Sequence, residues 1–98
     1  DDVGYRERGA VTRGVAESGS VGPRTIERWT YAGQAGERLR IYVNGDLTVR
    51  LLGPDGGLLN ESAAGGLTDT LPDTGTYAIE VHGPPDWTTW YGLELWAL

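Results

Sequence analysis

The sequence predicts an all-β protein, an antiparallel β-sandwich of about seven or eight short strands. Three observations carry that expectation. Short apolar runs with a two-residue alternation recur along the whole of the 98 residues. Glycine is abundant, at 16 positions without any collagen-like period, and it falls between those runs, where turns are needed. No window of useful length combines helical apolar spacing with capping residues and few glycines.

The first nine residues, DDVGYRERG, are polar and aperiodic, and are expected as a linker or frayed terminus. Residues 10–98 are expected as a single sandwich domain. Ala10–Glu17 alternates weakly through Val11, Arg13 and Val15 and is read as an edge strand, with Ser18–Pro23 as a turn cluster. From Arg24 to Tyr31, Trp29 and Tyr31 are the expected inward pair, because aromatic burial carries more free energy than one isoleucine, Ile26, on the other parity. After a turn at Gly33–Gly36, Leu39, Ile41 and Val43 point inward, with Arg38, Arg40 and Tyr42 outward. Asn44-Gly45-Asp46 is the strongest short hairpin signal in the chain.

Leu47, Val49 and Leu51 form the next inward face, and Gly53-Pro54-Asp55-Gly56-Gly57 is a turn in which proline sets the first corner. Leu58-Leu59 begins a short return strand, and Leu67–Leu71 is another. The clearest stretch follows. Leu71–Val81 is a turn built on Pro72, Asp73, Thr74 and Gly75, then a strand with Tyr77, Ile79 and Val81 inward and Thr76, Ala78, Glu80 and His82 outward. It is expected to be a central strand, with its outward face beside Glu94 and Trp96 if the last strand pairs with it. Gly83–Asp86 is a loop, after which Tyr91, Leu93 and Leu95 alternate against Trp90, Glu94 and Trp96.

Composition excludes several function classes. There is no cysteine, hence no disulfide, thiolate metal site or cysteine nucleophile. All the basic residues are arginine, and the formal net charge of −6 argues against a nucleic-acid or anionic-membrane surface. No apolar run approaches the roughly 20 residues of a membrane helix. No signal peptide is visible, and the start at Asp1 is that expected of a processed or excised piece.

Catalysis finds little support. His82 is the only histidine, and none of Ser18, Ser20 or Ser62 lies in a nucleophile context. The acids are scattered over turns and do not suggest a carboxylate pair in a cleft. No cofactor is expected. A structural calcium ion is the one exception, with Asp46, Asp73 and Glu17 as candidate ligands and Asp1, Asp2, Asn44, Asp69 and Asp86 as further oxygen donors.

The outward aromatics are the best functional clue. If Tyr91, Leu93 and Leu95 face the core, Trp90 and Trp96 face out, with Trp87 in the preceding loop and Tyr42 joining from another strand. Planar sugars stack on such rings, with Glu80 and Glu94 accepting hydroxyl hydrogen bonds. Equally, Arg40 and Arg50 can stack on them and close the surface. Trp87, Trp90, Trp96, Tyr42, Glu80 and Glu94 are therefore the candidate ligand-binding residues.

Four segments, in order, resemble the bacterial pre-peptidase C-terminal domain family. Arg28–Gly36 followed by Leu39–Val43 is similar to its aromatic strand, A-x-A-G turn and aliphatic strand, and Asp46–Gly56 to its D-x-x-L-x-L-x-x-P-x-G segment. Gly75–Val81 resembles its G-T-Y-x-I-x-V strand, and Tyr91–Leu95 its closing strand. The resemblance covers roughly residues 10–98. It implies a jelly-roll-like sandwich, secreted beside a peptidase or other hydrolase and not itself catalytic, some relatives binding collagen, carbohydrate or calcium. Family members often carry a second Asp where this chain has Thr48, which weakens any carry-over of metal binding there. The function implied is that of an extracellular accessory domain. It would bind a polysaccharide or fibrous protein through its Trp/Tyr surface, or alternatively pack against a parent hydrolase with no ligand of its own.

Overall fold

The computed structural model describes residues 4–45 and 47–98. Nine strands occur among them: β1 (Gly4–Ala10), β2 (Glu17–Val21), β3 (Thr25–Gly33), β4 (Arg38–Val43), β5 (Thr48–Leu52), β6 (Leu58–Ser62), β7 (Gly66–Thr70), β8 (Gly75–His82) and β9 (Thr89–Ala97). They form a five-stranded sheet, β1-β3-β8-β5-β6, and a four-stranded sheet, β2-β9-β4-β7. Without β1, the strands β2 to β9 follow the order of an eight-stranded jelly roll, in which the chain passes repeatedly between two antiparallel sheets.

Inward side chains alternate as the two-residue beat requires. Leu39, Ile41, Val49, Leu51, Tyr77, Ile79, Leu93 and Leu95 are all buried in one core between the sheets. Each such side chain contributes about 1.5–3 kcal/mol of apolar transfer free energy. Trp29 and Tyr31 are buried too, as the parity of β3 predicts. β8 occupies the centre of the five-stranded sheet, and its turn is strapped down by a buried tyrosine. The Tyr77 hydroxyl donates to the Asp73 carbonyl at 2.5 Å and accepts from the Asp73 amide at 3.0 Å. The β5–β6 hairpin turns at Gly53–Gly57 as expected, with the Gly56 amide donating to the Gly53 carbonyl at 2.9 Å.

Several expectations are corrected. Residues 4–10 are not a frayed linker but β1, which pairs in parallel with β3, and residues 1–3 lie outside the described residues. All seven residues of β1 are exposed, so no apolar beat announces it. Its side-chain anchors are ionic: Arg6 and Arg8 reach Glu27, and Glu7 reaches Arg28. Ala10–Glu17 is not an edge strand. It crosses between the sheets, the Val11 amide bonding Thr30 in one and the Gly14 amide bonding Leu95 in the other. Part of the expected turn at Ser18–Pro23 belongs to β2, which pairs with β9. Asn44-Gly45 does not close a hairpin, since β4 and β5 lie in different sheets. The left-handed Gly45 (φ 109°) turns the chain across the sandwich, and Asn44 is held by Gly92 of β9 through both its backbone and its side chain. Ile26, expected outward, is buried at 5% exposure on the outer face, flanked in register by Tyr5 and His82.

Candidate functional site

The two outer faces of the sandwich differ in how far their polar groups are satisfied internally. Across the five-stranded sheet, Glu7, Arg28, Glu80, Arg50 and Glu61 stand in one register row with alternating charge. Arg28 donates to Glu80 at 2.7 Å and to Glu7 at 3.2 Å, and Arg50 donates to Glu61 at 2.6 Å. Opposite charges in adjacent strands are favourable cross-strand neighbours. Glu80 itself is only 3% exposed, and His82 closes over its other oxygen at 3.3 Å. Desolvation lowers the pKa of His82 below the ordinary histidine value despite that carboxylate.

This row removes Glu80 from the candidate ligand-binding set. It is buried and bonded internally, and it does not lie beside Glu94 and Trp96, because β8 and β9 belong to different sheets.

The inner edge of the same sheet holds a second network that the sequence concealed. Glu27, on the inward parity with Trp29 and Tyr31, is fully buried. Its carboxylate accepts from Arg6 at 3.1 Å, from Arg8 at 3.0 and 3.1 Å, and from the Tyr91 hydroxyl at 2.7 Å. That hydroxyl accepts in turn from the indole N–H of Trp29 at 2.8 Å, and the Arg8 guanidinium lies 4.9 Å over the Trp29 ring. Burial first, and then the hydrogen bond to Glu27, push the Tyr91 pKa up. The room for this cluster comes from Gly19. A Cβ there would stand 2.6 Å from the Tyr91 hydroxyl oxygen. The network is structural, since every buried side-chain polar atom among the described residues has a partner.

The outer face of the four-stranded sheet is different. Trp90 is 79% exposed, Trp96 47% and Tyr42 43%. Register sets Tyr42 beside Glu94 and Gly66, Arg40 beside Trp96 and Thr68, and Ser20 beside Trp90. Trp90 and Trp96 are six residues apart on β9, so roughly 20 Å separates them. Neither Arg40 nor Arg50 stacks on these rings. Among the described residues the arginine–ring contacts are Arg8 over Trp29 and Arg28 over Tyr5, and Arg50 lies in the other sheet. The sequence-derived candidates Trp90, Trp96, Tyr42 and Glu94 thus share one face. Trp87, 59% exposed, does not. It lines a small cleft at the end of the sandwich with His82, Pro84 and Pro85.

The remaining candidates do not assemble. Among the described residues no three acidic or histidine side chains converge on a point where a cation could sit, and Asp46 lies outside those residues. Glu17 opens β2 and Asp73 belongs to the turn before β8, and neither joins such a group among the described residues. His82 hydrogen-bonds Glu80 and no serine, so the described residues form no Ser–His pair.

No protein-family model matches the chain, and no curated protein matches it in sequence. Solved structures do match in fold. One is PliG of Aeromonas hydrophila, a periplasmic lysozyme inhibitor of g-type lysozyme, with a TM-score of 0.80 at 14% identity over 96% of this chain and 99% of that one. The PliG of Salmonella Typhimurium superposes with a TM-score of 0.72 at 15% identity, over 91% and 96% of the two chains. The pre-peptidase C-terminal domain of a Bacillus anthracis collagenase gives 0.70 at 14% identity, over 93% of each. At such identities the likeness is one of fold. The sandwich implied by the pre-peptidase resemblance is present, and the lysozyme inhibitors share it with TM-scores at least as high. At this face the sequence left Arg38 out of the candidates and read Arg40 only as a group that stacks on the rings. Their outward parity was legible, but that neither has an ion pair among the described residues depends on where the other charges sit.

Proposed function

We propose that this domain is a non-catalytic, protein-binding module that works outside the cytoplasm, and that its contact surface is the outer face of the four-stranded sheet. One observation carries the reading. The five-stranded sheet neutralises its outer charges internally, whereas the other face leaves Trp90, Trp96, Tyr42, Arg38 and Arg40 exposed. Trp, Tyr and Arg are the residue types that dominate protein interfaces. The span of roughly 20 Å between the tryptophans fits an extended contact better than a single sugar ring. Two kinds of fold neighbour support this reading, an inhibitor whose partner is g-type lysozyme and a domain of a collagenase. An accessory role beside a secreted hydrolase agrees with the sequence resemblance. In that setting the bound protein is the hydrolase's polymeric substrate or the hydrolase domain itself.

The test is a titration of the whole chain with a g-type lysozyme, with collagen and with soluble polysaccharides, followed by tryptophan fluorescence. Binding of a protein, weakened at least tenfold in both Trp90→Ala and Trp96→Ala, is the expected result. Binding of polysaccharide alone, or protein binding untouched by either substitution, would overturn the reading.

A further inference from the structure

Arg6, Arg8, Arg13, Arg24, Arg28 and Arg50 all engage groups of the protein itself. That leaves Arg38 and Arg40, both exposed and neither in an ion pair among the described residues. They are successive outward residues of β4, followed on the same face by Tyr42. In a chain of net charge −6, the two arginines without an ion pair among the described residues therefore stand together, in one row, beside exposed aromatics.

The ground beside that row is shaped. Arg40, Tyr42, Gly66 and Thr68 line a shallow depression of about 340 Å³, and Arg38, Thr68 and Thr70 line an adjoining one of about 210 Å³. Thr68 is common to both, so the two depressions adjoin along the β4–β7 seam, and together they are called the trough. Gly66 stands opposite Tyr42, so no side chain from β7 covers that flank of the ring. The carboxylate of Asp69 at the edge of the smaller depression is engaged by the Thr70 amide at 2.8 Å. Glu94, paired with Tyr42, is the one acidic residue in the outward rows of β4 and β9, so these rows remain locally cationic.

We infer that this trough receives an extended acidic segment of a partner protein, with carboxylates at alternate positions and an apolar side chain at the next facing position. The inference rests on the protein-binding reading above and names the chemistry of its partner. The spacing decides the pattern. Residues two apart on a strand are separated by roughly 6.6–6.8 Å, and facing residues of an extended ligand repeat at the same distance. Two carboxylates at i and i+2 therefore meet Arg38 and Arg40 together, each guanidinium offering a planar fork of donors. Residue i+4 then falls over Tyr42, between Gly66 and the β9 row.

The experiment uses the full chain labelled with ¹⁵N and the peptide acetyl-Ser-Glu-Thr-Glu-Thr-Leu-Ser-amide. Controls are the same peptide with lysine for glutamate, an isomer with the two glutamates adjacent, and polygalacturonate. The alternating peptide should shift the Trp96 indole and the Arg38 and Arg40 side-chain signals. Its affinity should fall at least tenfold in Arg38→Glu/Arg40→Glu and at least threefold between 50 and 500 mM NaCl, with the lysine and adjacent-glutamate peptides weaker than the alternating one. No shifts, shifts indifferent to the charge reversal, or tighter binding of polygalacturonate would overturn the inference. A protein partner that depends on Trp90 and Trp96 but ignores Arg38→Glu/Arg40→Glu overturns this inference alone. Indifference to the tryptophan substitutions overturns the function on which it rests.

Discussion

Replacing Tyr91 by phenylalanine should destabilise the protein by about 3 kcal/mol, although only one oxygen atom is removed. The hydroxyl accepts from Trp29 at 2.8 Å and donates to Glu27 at 2.7 Å, deep enough that the ring is 3% exposed. Its loss leaves the indole N–H without an acceptor, a penalty of about 1–3 kcal/mol. It also strips a charge-assisted hydrogen bond from a fully buried carboxylate, worth about 1.5–3 kcal/mol, partly offset because Arg8 remains on the same oxygen at 3.1 Å. For a domain of this size each kcal/mol lowers Tm by about 4–8 °C, so a fall of roughly 12–24 °C is expected. Urea unfolding monitored by tryptophan fluorescence measures it, with an unchanged m-value and a midpoint lower by about 2 M. A double-mutant cycle with Glu27→Gln should return a coupling of about 1–2 kcal/mol. A loss below about 0.5 kcal/mol, or additivity in the cycle, would refute the claim that the hydroxyl joins the tryptophan to the buried acid.

Three further outcomes follow from the same geometry. Gly19→Ala should cost more than Tyr91→Phe, because its methyl group meets the Tyr91 hydroxyl oxygen at 2.6 Å, and calorimetry of the two variants ranks them. The Tyr31 hydroxyl, desolvated and donating to Glu37 at 2.5 Å, has its pKa raised from 10.0 to about 12. Between those values the folded state holds a proton that the unfolded chain has lost, so this contribution is complete below pH 10 and disappears as pH rises to about 12. Thermal melts across that window should show the decline in the wild type and a shallower one in Tyr31→Phe. Trp90→Ala, at 79% exposure, should change stability by less than about 0.5 kcal/mol, measured by the same urea unfolding, so that any loss of binding is not a loss of fold.

Much of the fold was legible because its core strands alternate cleanly. Leu39, Ile41 and Val43 of β4, Val49 and Leu51 of β5, Ile79 and Val81 of β8, and Leu93 and Leu95 of β9 alternate on the inward parity and are buried as the beat requires. What was hidden depends on contacts between distant residues. β1 carries no apolar beat because its inward groups, Arg6 and Arg8, satisfy an acid about twenty residues away in sequence. β2 reads as a turn because Gly19 yields its space to Glu27 and Tyr91, a pairing no local window contains. Asn-Gly signals a reversal of direction, but whether that reversal stays within one sheet or crosses to the other is set by where β9 accepts β4. The candidate site divided along similar lines. Parity on β4 and β9 located Trp90, Trp96, Tyr42 and Glu94 on one face, while Glu80, equally outward by parity, is covered by Arg28 and His82 from its own sheet.

The proposed function places protein binding on the outer face of the four-stranded sheet. The most direct measurement is the dissociation constant of one protein partner, a g-type lysozyme or collagen, for the wild type, for Trp90→Ala/Trp96→Ala, and for Glu61→Ala on the opposite face. At least a tenfold loss in the tryptophan variant and an unchanged constant for Glu61→Ala are expected. Equal affinities in all three, or a loss confined to Glu61→Ala, would contradict the proposed function.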